Sequence, residues 1–331
     1  MSKGKAKSYI INAVATAVLC GVIIALNSSG AISRYYSGIL MLVCINVILA
    51  VSLNLTTGCL GQIALGHAGF MSIGAYTSAL ITKSVAASGA SQYVVFFVAL
   101  LAGGILAAIF GVMIGLPALR LKGDYLAIIT LGFGEIIRVI IEYLPFTGGA
   151  QRLRGIPKLS TLPIALIICV ISVTVLTMLM RSRHGRAILS IREDDIASEA
   201  VGIHNTYYRT LAFTIAAFFA GIAGGVFAHY MGILGARDFG FMRSVEITII
   251  VVMGGLGSFT GSIVAAAILT MLPELLREFA DYRMLAYSVA LIALMIFKPS
   301  GLFGTYEFSL TRAIEFIKRL FKGKAGQRRE V

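Results

Sequence analysis

Residues able to do chemistry are sparse in this chain, and their spacing limits what they can do. The four histidines, His67, His184, His204 and His229, are scattered and fall at no metal-ligand spacing. The four cysteines, Cys20, Cys44, Cys59 and Cys169, form no CxxC and no Cys/His set, so they read as buried, reduced small residues and imply no metal. No P-loop GxxxxGK(S/T), no HExxH and no GxSxG occurs, so nucleotide, zinc-protease and nucleophile-elbow chemistry have no foothold. The reading is a protein that is not an enzyme and binds no cofactor directly. What remains is charge in unusual places. Glu135, Arg138 and Glu142 follow one another at spacings of three and four within an apolar stretch, which puts them on one helical face where they can pair. Glu246 lies in a second apolar stretch. Charges inside a span are expensive and face a cavity or a partner by default. The alternative is that Arg138 and Glu142 sit where their span ends at the membrane surface. An ion-gradient-driven transporter would need such groups, with Glu135, Arg138 and Glu246 as candidates.

The elements that must position these residues are apolar helices. The chain is 58% hydrophobic and 13% charged, with a mean hydropathy of +0.91, more apolar surface than a soluble domain of this length can hide. Apolar segments near 20 residues recur, as about 30 Å of hydrocarbon requires. The alternation of a β-barrel is absent. The expected fold is therefore an all-α polytopic membrane protein of about 8–10 transmembrane helices, some short or glycine-broken, forming one integral-membrane domain over 1–331. Spans are expected at 9–27, 38–57, 63–83, 92–116, 125–144, 162–180 and 211–234, and in the apolar runs 245–272 and 284–298. Asp124 is expected to cap the helix that follows it. The segment 63–83 is dense in glycine, alanine and serine, which lets backbones approach closely, so it belongs inside the bundle.

The net charge is +13. In a membrane protein it reads as positive-inside bias rather than as a nucleic-acid surface. Lys3, Lys5 and Lys7 precede the first span, whose core is too long for a signal peptide. Lys318, Arg319, Lys322, Lys324, Arg328 and Arg329 crowd the tail 303–331. Both termini are therefore expected in the cytoplasm.

One interior stretch is polar, 182–209, with Arg183, Arg186, Arg192 and Arg209 set against Glu193, Asp194, Asp195 and Glu199. It reads as two short amphipathic helices in a cytoplasmic loop, with Ile188, Ile191, Ile196 and Ala200 forming an apolar side and Gly202 a natural stop. Its near-zero net charge disfavours anionic lipid as its target and favours a protein partner.

Two glycine-rich breaks resemble each other. Gly58-Cys59-Leu60-Gly61-Gln62 ends one span, and Gly254-Gly255-Leu256-Gly257-Ser258 interrupts 245–272. If the second break is a turn, two short spans replace one and the basic tail returns inside. Matched breaks in two halves are expected of an internally duplicated transporter. Gly58, Gly61, Gln62, Gly254, Gly255 and Gly257 are thus candidate path or hinge residues, together with His67 beside the first break. A lone membrane histidine such as His67 or His229 reads first as a helix–helix hydrogen-bonding group.

Three long motifs in order carry a family resemblance: GCLGQIALGHAGFMSIGAY at 58–76, RLKGDYLAIITLGFGEIIR at 120–138 and MGGLGSFTGSIVAAAILTMLPELLR at 253–277. They resemble branched-chain amino acid (LIV-type) ABC transporter permeases over about 38–302, and the middle motif is similar to the M-type subunit. Glu199-Ala200-x-Gly202 resembles the coupling loop of ABC importer permeases, departing from it at Val201, where a second alanine is usual. The resemblance implies an importer of leucine, isoleucine or valine in the bacterial cytoplasmic (inner) membrane. It also implies an H-type permease partner, two cytoplasmic ABC ATPases that use the ATP, and an extracytoplasmic substrate-binding protein that largely sets selectivity. Arg192, Glu193, Asp194, Asp195, Glu199, Ala200 and Gly202 then become the ATPase-coupling residues. Related permeases carry urea or other amino acids.

Overall fold

The computed structural model describes residues 18–304 except 19, 31–32, 86–90, 119–120, 122, 277–281, 283–284, 286–287, 290–291, 293–295, 299–300 and 303. The spans expected at 9–27 and 284–298 lie largely outside the described residues, and the basic tail lies wholly outside. The chain divides into two compact units, Met1–Ser37 with Tyr306–Val331, and Gly38–Thr305. In the first, residues 20–28 are helical. The rest of the description concerns the second.

Ten helices in it matter here. They are α1 (Arg34–Asn54), α2 (His67–Val85), α3 (Gln92–Ala118), α4 (Asp124–Tyr143), α5 (Leu162–Arg181), α6 (Arg183–Glu193), α7 (Asp195–Ala200), α8 (Asn205–Met231), α9 (Phe241–Gly254) and α10 (Phe259–Leu275). Four helices among the described residues are long and apolar enough to cross a membrane: Arg34–Cys59, Gln92–Ala118, Leu162–Arg181 and Asn205–Met231. The chain is an all-α polytopic membrane protein. Its described strands are β1 (Leu153–Arg154) and β2 (Ile233–Leu234), which pair antiparallel.

The core is the mutual packing of α2, α3 and α8. A Cβ on Gly74 of α2 would overlap the backbone of Gly221 in α8, and one on Gly103 of α3 would lie 2.8 Å from the Gly74 carbonyl oxygen. Backbones this close leave no room for side chains, the arrangement that small residues permit where no hydrophobic effect drives helices together. Two buried histidines tie this bundle. His67 Nε2 lies 2.9 Å from Ser52 Oγ of α1, and His229 Nε2 of α8 lies 2.9 Å from Thr82 Oγ1 of α2.

Local starts differ from the sequence expectations in two places. The helix expected over 63–83 begins only at His67, because residues 61–66 form no regular element and meet α4. There Leu65 N donates to Thr130 Oγ1 at 3.1 Å, and a Cβ on Gly66 would overlap the Thr130 carbonyl. Asp124 does not cap α4. Gly123 holds the cap position, at φ +62°, with no side-chain bond, and Asp124 is the first residue of the helix. Its charge still sits at the positive end of the helix dipole.

The interrupted run 245–272 is a hairpin. α9 ends at Gly254, the chain turns through 255–258, and α10 returns against it. α10 lies antiparallel to α1: Asn54 Nδ2 donates to Ser262 Oγ at 2.8 Å, and Asn46 Nδ2 donates to Thr270 Oγ1 at 2.8 Å.

Candidate functional site

The two glycine breaks, 200 residues apart in sequence, meet. α1 widens into a π turn over Leu55–Cys59, which carries Gly58 onto the second break. A Cβ on Gly58 would overlap Gly257 N and Asn54 Oδ1. Asn54 stitches the contact from the α1 side: its Oδ1 accepts from Gly257 N at 2.9 Å, and its Nδ2 donates to Ser258 O at 2.9 Å. Both neighbouring turns need left-handed backbone, φ +76° at Gly61 and φ +89° at Gly257, which glycine adopts without the penalty of a Cβ.

Into this joint reaches one side chain of the polar stretch. Arg192, in the last turn of α6, donates from Nη1 to the Gly58 carbonyl at 2.7 Å. Its Cγ would lie 3.2 Å from a Cβ on Gly61, and its Nη1 2.8 Å from a Cβ on Gly257. Gly61 therefore leaves room for the aliphatic stem of Arg192, and Gly257 for its guanidinium. A charged donor on a carbonyl contributes about 1.5–3 kcal/mol. The joint is also incompletely satisfied: Thr57 Oγ1 and Gln62 Oε1 are buried without a hydrogen-bond partner among the described residues.

The rest of the polar stretch divides into residues that hold it together and residues that face out. Ser182 caps α6 by accepting from Gly185 N at 3.4 Å. Asp194 caps α7, with Oδ1 accepting from Ile196 N at 2.9 Å and Ala197 N at 3.0 Å. Asp195 pins α7 to α8: its Oδ1 meets Arg209 Nη2 at 2.6 Å and accepts from Asn205 Nδ2 at 2.6 Å. Gly202, at φ +89°, ends the turn, and Ile203 N reaches back to Ser198 O at 3.1 Å. The expected single apolar side is not formed. Ile188 and Ile191 are buried, but Ile196 is 80% exposed and Ala200 is exposed. Asp194 is extended, with φ −154° and ψ 114°, so it resets the helical phase between the two pairs. What faces out is Ile196, Glu199, Ala200 and Val201, with Glu193 also exposed.

The candidate charges gather at the start of α9, the far end from the joint. Arg138 Nε meets Glu135 Oε2 at 2.6 Å, and its Nη1 meets Glu142 Oε2 at 2.9 Å. Glu135 Oε1 also accepts from Phe241 N, the first residue of α9, at 2.8 Å. A carboxylate is favoured at that positive helix end. Arg237 approaches Glu142 at 3.6 Å, and Arg152 approaches Asp238 at 3.5 Å. Arg243 bonds Asn46 Oδ1 at 2.7 Å and Glu246 Oε2 at 2.9 Å.

The structure thus brings Gly58, Gly61, Gly257 and Arg192 together. Gly254 and Gly255 lie outside that contact, packing on the backbones of Gly261 and Gly304, and His67 is held by Ser52. Sequence reasoning missed Asn54, Asn46 and Arg243. Two asparagines within an apolar run were the available signal, since buried amides need partners.

The sequence family described as branched-chain amino acid transport system, permease component, matches residues 35–298. The high-affinity branched-chain amino acid transport system permease protein LivM of Salmonella typhimurium is 35% identical over 306 residues, covering 82% of this chain and 70% of that protein. LivM of Escherichia coli K12 matches to the same extent. The corresponding LivH of Salmonella typhimurium is 23% identical over 283 residues, covering 78% of this chain and 91% of that protein. No solved structure matches the chain.

Proposed function

The chain belongs to the permease-component family of branched-chain amino acid transport systems, as an M-type member, and on that premise we propose that it is one of two permease subunits of an ATP-driven importer of leucine, isoleucine or valine. It forms the translocation path with an H-type permease in a bacterial inner membrane, surrounded by lipid, with its termini and polar stretch on the cytoplasmic side. An extracytoplasmic binding protein delivers the substrate. Two cytoplasmic ATPases hydrolyse the ATP, so this subunit holds no cofactor and does no chemistry of its own. Nucleic acid has no part in it.

The observation that carries this reading is the link between the outward ridge of α7 and the glycine joint. A partner seated on Ile196, Glu199 and Val201 moves α6 with it, because the single residue Asp194 joins α7 to α6 and caps α7. Arg192 then transmits that movement to two spans at once, α1 and α9, through Gly58 and Gly257. A polar stretch with a single purpose of solubility needs neither the exposed isoleucine nor a guanidinium bonded to the backbone of a neighbouring span.

The test is uptake by vesicles containing the whole complex. Leucine uptake should require ATP and the ATPase subunits. Glu199→Lys should lower ATPase co-purification or uptake while the chain still inserts. Uptake that continues on an ion gradient without ATP would overturn the reading, as would normal coupled uptake in Glu199→Lys.

A further inference from the structure

The glycine joint does not absorb Glu246. Its side chain is 57% exposed and pairs with Arg243 at 2.9 Å. Arg243 is bound from behind by Asn46, twelve residues into α1, which at 1.5 Å per residue places the pair about 18 Å along that helix and well inside its ends. An exposed carboxylate at that depth is costly against hydrocarbon, so this face of α9 meets water or a polar partner.

Immediately below the pair on the same face is a groove of about 180 Å³ lined by Leu65, Val245, Thr248, Ile249, Val252 and Met253. Helical spacing aligns Ile249 and Met253 with Glu246 at successive turns, and Val245 and Val252 flank them. Five of the six are aliphatic or thioether, with Thr248 the only hydroxyl. An apolar cavity of about 150 Å³ admits benzene, so this one has room for a branched four-carbon side chain.

We propose that this face of α9 is a transit subsite for an aliphatic α-amino acid. Glu246 takes the ammonium, Arg243 the carboxylate, and the groove the side chain. The charge pattern is that of a zwitterion read in reverse, and Arg243 stays aimed because Asn46 holds it whether or not Glu246 lets go. The apolar lining beside a few convergent polar groups is the usual make-up of a small-molecule site. This inference rests on the transport reading above and adds the residues that touch the substrate. It also gives the run 61–66 a role, since Leu65 is the wall opposite α9.

The experiment uses the assembled transporter in vesicles, with leucine and valine as paired substrates. Val252→Phe fills the groove, and leucine uptake should fall at least about fivefold more than valine uptake, since one methylene in an apolar pocket discriminates on that scale. Equal losses for the two substrates, or none, would overturn the subsite. A second measurement does not depend on Val252→Phe folding. Thr248→Cys should react with a membrane-impermeant thiol reagent above the parent's background, and leucine but not aspartate should slow the reaction. No reaction, as when the second permease covers this face, or reaction indifferent to leucine, would overturn it. If the parent complex moves neither leucine nor valine, the transport reading and the subsite fall together. If the parent moves both and only the variants fail the tests above, the subsite alone falls.

Discussion

The two ends of α9 are held in opposite ways. At its start, Glu135 accepts from the first backbone N–H and pairs with Arg138, which also pairs with Glu142. At its other end, past Gly254, the chain turns through glycines and is touched by Arg192 and Asn54. The first is a charged anchor with alternatives for each partner. The second is a contact between backbones, stripped of side chains, with buried polar atoms left over. A helix clamped by side-chain ion pairs at one end and seated on glycine turns at the other is suited to pivot. The glycine end is the one the polar stretch reaches, through Arg192 on the Gly58 carbonyl.

That contrast can be broken from either side. The largest effect is expected from Gly257→Leu. Its backbone sits at φ +89°, where a side chain costs about 1–2 kcal/mol, and its Cβ would meet the Arg192 guanidinium. Coupled leucine uptake should drop at least about tenfold, the equivalent of some 1.4 kcal/mol, while the ATPases still co-purify. Glu135→Ala attacks the anchor instead. It removes one ion pair and the cap on Phe241 N, both partly exposed, so thermal unfolding in detergent should report a loss of about 1–2 kcal/mol. Substrate moved per ATP should not change in that variant, since the pivot survives on weaker footing. The smallest effect is expected from Arg237→Ala. That side chain is 83% exposed and 3.6 Å from Glu142, and its removal should shift stability by no more than about 0.5 kcal/mol. A loss in Arg237→Ala as large as in Glu135→Ala would show that the anchor is not organised around Arg138.

Much of this was legible in the sequence because it is local. Apolar runs announce the helices, glycine clusters announce the breaks, and the three-and-four spacing of Glu135, Arg138 and Glu142 announces their pairing. What was not legible is who meets whom across the bundle. That Gly58 lies on Gly257 depends on antiparallel packing of α1 and α10, which no local pattern encodes. The resemblance set Arg192 among the ATPase-coupling residues, and nothing in the sequence marked its contact with the joint, because its partner there is a backbone carbonyl with no side chain to mark it. The error over Ile196 and Ala200 was local in origin: a helical stripe was extended through Asp194, a residue that prefers to cap. The asparagines were the overlooked clue. Each is an amide inside an apolar span, and each turned out to fasten α1 to the helices that form the joint and the groove.

The most direct measurement is the number of leucine molecules moved per ATP hydrolysed by the reconstituted complex carrying Arg192→Ala. If Arg192 transmits movement from the polar stretch to the glycine joint, hydrolysis should continue at a rate close to the parent's while uptake falls to a small fraction. If uptake and hydrolysis stay in the parent's ratio, whether both fall or neither does, the joint is not the coupling element.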